Sequence, residues 1–153
     1  MGPTYLHGGL ALKAALTKAL RGEGVSVDDL GTLTTDPVDY PDTAARVARA
    51  VARGEADAGI VIDGAGIGSA IAANKIRGVR AAVCHDATAA RYARQHNGAN
   101  VLSLGATLVT TEQAIEILEI WRNTPMVESR YIRRLAKIAA LESACLMPKF
   151  SQF

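Results

Sequence analysis

The segment Asp63-Gly64-Ala65-Gly66-Ile67-Gly68-Ser69 sits between a short apolar run and a helix-forming stretch. Glycines in that setting leave backbone N–H groups free to face an anion at a helix N-terminus. The spacing is not a dinucleotide fingerprint, because the third glycine comes one residue early and the loop does not follow the first strand. It is not a phosphate-binding P-loop either, since no Gly-Lys-Ser/Thr occurs. Two uses stay open on spacing alone: an anion or oxyanion site, or a tight turn that needs positive φ.

Two histidines and an arginine pair are the other chemical candidates. His96-Asn97 ends a predicted helix just before a strand. A helix C-terminus favours the charged imidazole, which suits an acid/base group or a simple cap. His85-Asp86 directly follows a strand, and Asp86 as an N-cap accounts for half of that pair. His7, His85 and His96 show none of the close helical pairing of a zinc site, so no metal is expected. Arg130 and Arg134 lie at i and i+4, with Arg133 beside them. Two guanidinium groups on one face suit a phosphate, which wants bidentate, always-charged donors, but they also make an ordinary solvated face. Cys84 closes an apolar strand and is expected to be buried and inert.

The elements that must position these groups alternate between two periods. A helix begins at Leu10 and ends at the Gly22/Gly24 punctuation; a strand covers Val25 to Leu30. After a loop from Gly31 to Asp42, Pro41 opens a helix that Gly54 closes. Strands at Ala58 to Ile62, Val79 to Cys84 and Val101 to Leu104 are short apolar runs of the kind buried in parallel sheets. Helices are expected at Ser69 to Lys75, Ala87 to Gln95, Thr110 or Thr111 to about Arg122, and about Glu128 to Leu141. Residues 143–153 read as a loose tail, and the whole of 1–153 as one domain. Strand–helix alternation at this spacing implies a parallel sheet covered on both faces. Ligands of such sheets bind at the carboxyl ends of the strands, so the loops after Ile62, Cys84 and Leu104 carry the expectation.

Composition narrows the classes. The net charge is +2, which gives no electrostatic case for nucleic acid or an anionic membrane. No apolar run approaches the ~18–20 residues needed to span a bilayer. Met1 to His7 shows neither basic nor apolar signal-peptide character, so a cytoplasmic setting is expected. Two cysteines, Cys84 and Cys145, cannot build a disulfide scaffold. Alanine occurs 28 times and aromatic residues make up 5%, which favours close helix-on-sheet packing.

Taken in order, the motifs resemble the ribose-5-phosphate isomerase B and galactose-6-phosphate isomerase family. The stretches that carry the resemblance are His7 to Lys13, Val38 to Asp42, Gly54 to Ile62, Gly64 to Lys75, Gly78 to Asp86, Arg94 to Ala106 and Arg130 to Ile138. The resemblance implies a Rossmann-like three-layer sandwich with a parallel sheet of four to five strands. It implies a homodimer or homotetramer with active sites shared between subunits, a sugar phosphate as substrate, and no cofactor. It also assigns roles. His96 matches the ring-opening histidine and Asn97 its substrate-binding neighbour. Gly64, Gly66, Ile67 and Gly68 match the loop that stabilises an enediolate, and Tyr40 and Asp39 lie near the sugar. Asn74 and Lys75 match the helix that buttresses the glycine loop. His7, Arg130 and Arg134 match the phosphate ligands, the two arginines coming from the partner subunit.

The chain departs from that pattern around one pocket. The usual Cys-Gly-Thr-Gly is Asp63-Gly64-Ala65-Gly66, and the glutamate base of another branch is Ser69. The aspartate that precedes the first histidine is Leu6, and Gly2 and Pro3 make the first strand look degenerate. One reading is an isomerase with Asp63 as base, its pKa raised by burial. The other is a subunit that binds sugar phosphate without catalysing its isomerisation, or that needs a related partner chain.

Overall fold

The computed structural model describes residues 4–7, 9–31 and 39–144. The elements are β1 (Thr4–His7), α1 (Leu10–Gly22), β2 (Val27–Asp29), α2 (Tyr40–Ala52), β3 (Ala58–Asp63), α3 (Ile67–Ala73), β4 (Ala81–Val83), α4 (Ala87–Gln95), β5 (Val101–Gly105), α5 (Thr111–Asn123) and α6 (Ser129–Ala144). The five strands form one parallel sheet in the order β2-β1-β3-β5-β4.

Side-chain alternation along the two central strands splits the core into two layers. Ile60, Ile62, Leu102 and Leu104 pack with Leu12, Leu16 and Leu20 of α1, Ala90 and Ala93 of α4, and Ile117, Leu118 and Trp121 of α5. Val61 and Val101, one residue out of phase, pack with Ala44, Val47, Ala48 and Val51 of α2 and Ala73 of α3. A period of two in the strands thus sends α1, α4 and α5 to one face and α2 and α3 to the other. Gly59 sets the spacing of the second layer: a Cβ there would lie 2.7 Å from the Val47 side chain. Edge strand β2 is tied to α1 by Lys13, whose ammonium lies 2.7 Å from Asp29.

The helix starts follow the local chemistry. Asp86 accepts the Ala89 N–H at 2.8 Å and caps α4 as expected. Thr110 and Gln113 form a reciprocal capping box at the start of α5. Two asparagines of the matched motifs hold the turns into β4. The Asn74 amide both accepts from the Ala81 N–H and donates to its carbonyl, at 2.8 and 2.9 Å. Asn100 does the same across Arg80 and Gly78, at 2.7 and 2.9 Å.

Three expectations are corrected. The first strand is not degenerate: Thr4–His7 forms β1 and pairs on both sides, with β2 and β3. Gly2 and Pro3, which argued against it, precede the strand, and Thr and Tyr suit an extended backbone. Helix α3 begins at Ile67 rather than Ser69, because the glycine loop itself turns into the helix. Helix α6 runs to Ala144, past the expected end. The Gly78 N–H donates to Glu142 at 3.1 Å and Arg77 donates to the Ser143 hydroxyl at 2.7 Å, which holds the last turn. The rest of the expected tail, 145–153 with Cys145, lies outside the described residues.

Candidate active site

In a parallel sheet every strand starts at one edge and ends at the other, so the sheet has an amino edge and a carboxyl edge. The candidate residues fall into two groups, one on each.

The carboxyl-edge group is the glycine loop after β3. Asp63 ends the strand beside Gly105, and its main-chain carbonyl accepts the Ala106 N–H at 2.8 Å. Its carboxylate folds back over the loop: one oxygen accepts the Gly66 N–H and the other the Ser69 N–H at 2.8 Å. Asp63 thereby serves the first turn of α3, whose N-cap Gly66 has no side chain to do so. Burial pushes the Asp63 pKa up. The Ser69 hydroxyl and N–H and the Gly66 and Ala65 N–H groups outweigh burial, and they hold the carboxyl below the usual carboxylate range. The expected upward shift is therefore overturned. The Ser69 hydroxyl contributes by proximity, for it is fully buried and meets no partner at full hydrogen-bond geometry. The N–H groups of Ile67 and Gly68, also in the first turn, have no acceptor within the helix.

Residues of β5 and the loop after it fix this loop from behind. The buried Ser103 hydroxyl donates to the Gly66 carbonyl at 2.5 Å, and the Thr107 hydroxyl donates to the Gly64 carbonyl at 2.7 Å. Gly66 has φ +76°, and a Cβ on it would lie 2.9 Å from the Leu104 carbonyl carbon. Gly66→Ala should therefore cost about 1–3 kcal/mol from left-handed backbone alone, plus displacement of the loop. Urea unfolding of that variant checks the figure, and an unchanged midpoint would count against this account of the loop. Gly68 makes room for Tyr40, whose ring would lie 2.7 Å from a Cβ there. His7 ends β1, the neighbour of β3, so its backbone reaches the same edge; its side chain lies outside the described residues. Gly9, Leu10, Ala11, Leu12, Ala106, Val109 and Thr111 line an open depression of about 300 Å³ close to the loop.

The two other strand-end candidates play no comparable part. His85 is exposed after β4. Cys84 is buried, and burial followed by the Asp86 charge pushes its thiol up to about 12. That thiol is not ionised near neutrality and cannot stand in for the missing cysteine base.

The amino-edge group surrounds His96, the C-cap of α4. Its ring stacks on Tyr92 at 4.6 Å and 15° and meets Tyr131 of α6 at 4.6 Å and 32°. The guanidinium carbons of Arg130 and Arg134 lie 4.9 and 5.8 Å from the Tyr131 ring centre. Arg130 also pairs with Glu128 at 2.5 Å. The exposed Asn97 side chain donates to the Tyr92 carbonyl at 3.2 Å, and the Asn97 main-chain carbonyl accepts from Arg80 at 3.0 Å. His96, Asn97, Arg130 and Arg134 are thus brought together within one chain, whereas the resemblance implies that the two arginines reach the site from a partner subunit.

Asp63 and His96 are not brought together within one chain. Asp63 pairs with Gly105 at the end of β5, whereas His96 precedes Val101 at its start. The five-residue strand between them rises about 13 Å. Sequence reasoning passed over Tyr92, Ser103, Thr107 and Tyr131. Ser103 was visible as one polar residue inside an apolar strand, and Tyr131 as a rare aromatic set between two arginines.

The sequence model of the Ribose/Galactose Isomerase family matches residues 6–138, and the chain is a member of that family. It is 43% identical over 136 residues to ribose-5-phosphate isomerase B of Escherichia coli (strain K12), covering 89% of this chain and 91% of that protein. The Clostridium thermocellum ribose-5-phosphate isomerase B structure superposes with a TM-score of 0.91 at 40% identity, over 93% of this chain and 98% of that one. The Mycoplasma genitalium enzyme, solved with bound ribulose 5-phosphate, gives 0.88 at 36% identity, over 92% and 96% of the two chains.

Proposed function

We propose that this protein interconverts an aldose phosphate and a ketose phosphate of the ribose 5-phosphate/ribulose 5-phosphate type. The observation that carries this is the whole-domain likeness to isomerases of that name, one of them solved with ribulose 5-phosphate. The glycine loop and the His-Arg cluster lie on opposite edges of the sheet, which supports a site shared between two subunits. The working site is made from the carboxyl edge of one subunit and the amino edge of another. A homodimer, or a homotetramer of such dimers, is therefore the active form. Exposed Ile67 and Ile71 on α3 and Ile132, Ile138 and Leu141 on α6 supply apolar surface for that contact. Such charged substrates imply a cytoplasmic setting.

His96 moves the proton that opens the sugar ring, with Asn97 beside it. The Asp63 carboxylate takes the proton from the carbon next to the carbonyl, and the electron pair moves onto the carbonyl oxygen. That enediolate oxygen accepts from the Ile67 and Gly68 N–H groups, while Gly64, Gly66 and Tyr40 shape the loop around it. A proton passes from the neighbouring hydroxyl to the enediolate oxygen, and the proton held by Asp63 is delivered to the former carbonyl carbon as the new carbonyl forms next to it. Two of the roughly four Asp63 lone-pair sites are engaged by the Gly66 and Ser69 N–H groups, which leaves at least one to receive the proton. The same bonds make it a weaker base than a free carboxylate, so turnover is slow.

His7, Arg130 and Arg134 hold the phosphate. Arg130→Ala should raise the Kd for ribose 5-phosphate by about tenfold or more, the size of a lost charge-assisted hydrogen bond. Calorimetry with ribose and ribose 5-phosphate tests this, and equal affinity for the two sugars in the parent protein would remove phosphate from the reading.

One observation favours a second reading. Asp63 already occupies the Gly66 and Ser69 N–H groups that would otherwise face substrate. A chain in that state could bind sugar phosphate without turning it over. Proton NMR of ribose 5-phosphate in heavy water separates the two. Exchange of the C2 proton supports the isomerase; binding without exchange across four- to six-carbon sugar phosphates leaves the binding subunit.

A further inference from the structure

Helix α6 carries both arginines but has little hold on the rest of the chain. Among its described side chains only Tyr131 is buried, at 5% exposure, in a helix that is otherwise largely exposed. That one ring serves three partners. It meets the His96 imidazole at 4.6 Å, and both guanidinium groups come within about the 6 Å range of cation–π attraction. Its hydroxyl accepts a hydrogen bond from the Arg130 guanidinium at 3.0 Å. Leu135, one turn on, packs over Gly98, where a Cβ would stand 3.1 Å from the leucine methyl.

We infer that Tyr131 is a positioning residue that joins the ring-opening histidine to the phosphate-binding arginines, so that these groups move as one unit. The inference rests on the phosphate role proposed for Arg130 and Arg134. The ring sets the distance between His96 and α6. The hydroxyl, as an acceptor, restrains the Arg130 guanidinium, which is otherwise exposed. Glu128, at 2.5 Å from Arg130, holds the same guanidinium from the other end of the turn. Without Tyr131 the N-terminal half of the helix would keep Leu135 as an anchor, the Glu142–Gly78 and Ser143–Arg77 contacts lying at its far end. The phosphate grip and the imidazole would then lose their common reference.

Two variants of the full-length protein separate the two functions of the residue. Tyr131→Phe keeps the ring and removes the acceptor of the Arg130 hydrogen bond. It should raise KM for ribose 5-phosphate, and the Kd for inorganic phosphate, by about 3- to 10-fold, with kcat within about twofold. Tyr131→Leu removes the stack as well. It should lower kcat by about tenfold or more and shift the His96 ring-proton resonances, which two neighbouring aromatic rings now shield. Unchanged KM and phosphate affinity in Tyr131→Phe would overturn the inference, as would equal losses in kcat from both variants. Should the parent protein lack isomerase activity, the isomerase reading fails but phosphate affinity and the His96 resonances still decide. Weaker phosphate binding by Tyr131→Phe upholds the positioning role, and unchanged binding ends it. If Tyr131→Leu does not fold, Tyr131→Phe alone carries the test.

Discussion

Co-expressing two inactive variants, Asp63→Asn and His96→Asn, should restore about a quarter of the parent activity. The reason is the two-edge arrangement. Asp63 lies on the carboxyl edge and His96 on the amino edge of one sheet, separated by the length of β5. In a two-fold dimer each site takes one edge from each chain. A mixed dimer then holds one site with both residues altered and one with neither. Random assembly puts about half of the chains into mixed dimers, and half of their sites are intact, which gives the quarter. Each variant alone should fall by about 10² or more, so the recovery is large against its background. Activity measured on the unselected mixture checks the quarter, and mixed dimers isolated through two different tags should show about half. No recovery in a verified mixed dimer would show that each chain builds its site alone.

The second large effect concerns Asp63 itself. Asp63→Asn keeps the shape and one acceptor, so it preserves much of the capping, but it removes the base. Deuterium exchange into the sugar phosphate should fall by about 10²-fold or more, the usual size of a general-base contribution. Asp63→Ala should lose the exchange too, and in addition about 0.5–2 kcal/mol of stability with the capping contact. Asp63→Cys with Ala65→Thr should raise the exchange rate. The pH dependence follows from the hydrogen bonds on the carboxylate. They lower the folded-state pKa, so Asp63 stays ionised as pH falls until that lowered value is reached. The acid limb of kcat/KM that belongs to Asp63 should therefore lie below about pH 4. Its contribution to stability has the same sign: present above the unfolded-state value, lost as pH falls through the folded-state value. An unchanged exchange rate in Asp63→Asn would move the base elsewhere, with His85 the next residue to test because it follows a strand end on the same edge.

Much of the fold was legible because each element follows local rules. Asp86, Thr110 and the proline after Tyr40 start helices where capping and backbone chemistry place them. The alternation in Ile60-Val61-Ile62 and Val101-Leu102 assigns side chains to two layers before any partner is known. The first strand was misjudged because its pairing on both sides is a long-range property that four residues do not announce.

The family, the glycine loop and the i, i+4 pairing of Arg130 with Arg134 were legible in the sequence alone, since they rest on residue types at set spacings. Tertiary structure decided three further things. Asp63 turns its carboxylate onto the loop N–H groups, which reverses the expected direction of its pKa, because burial and hydrogen bonding compete and only geometry sets their balance. Tyr131 joins α4 to α6 through ring contacts between residues far apart in the chain. Asp63 and His96 stand on opposite edges, because parallel strands put every αβ loop at one end of the sheet and every βα loop at the other.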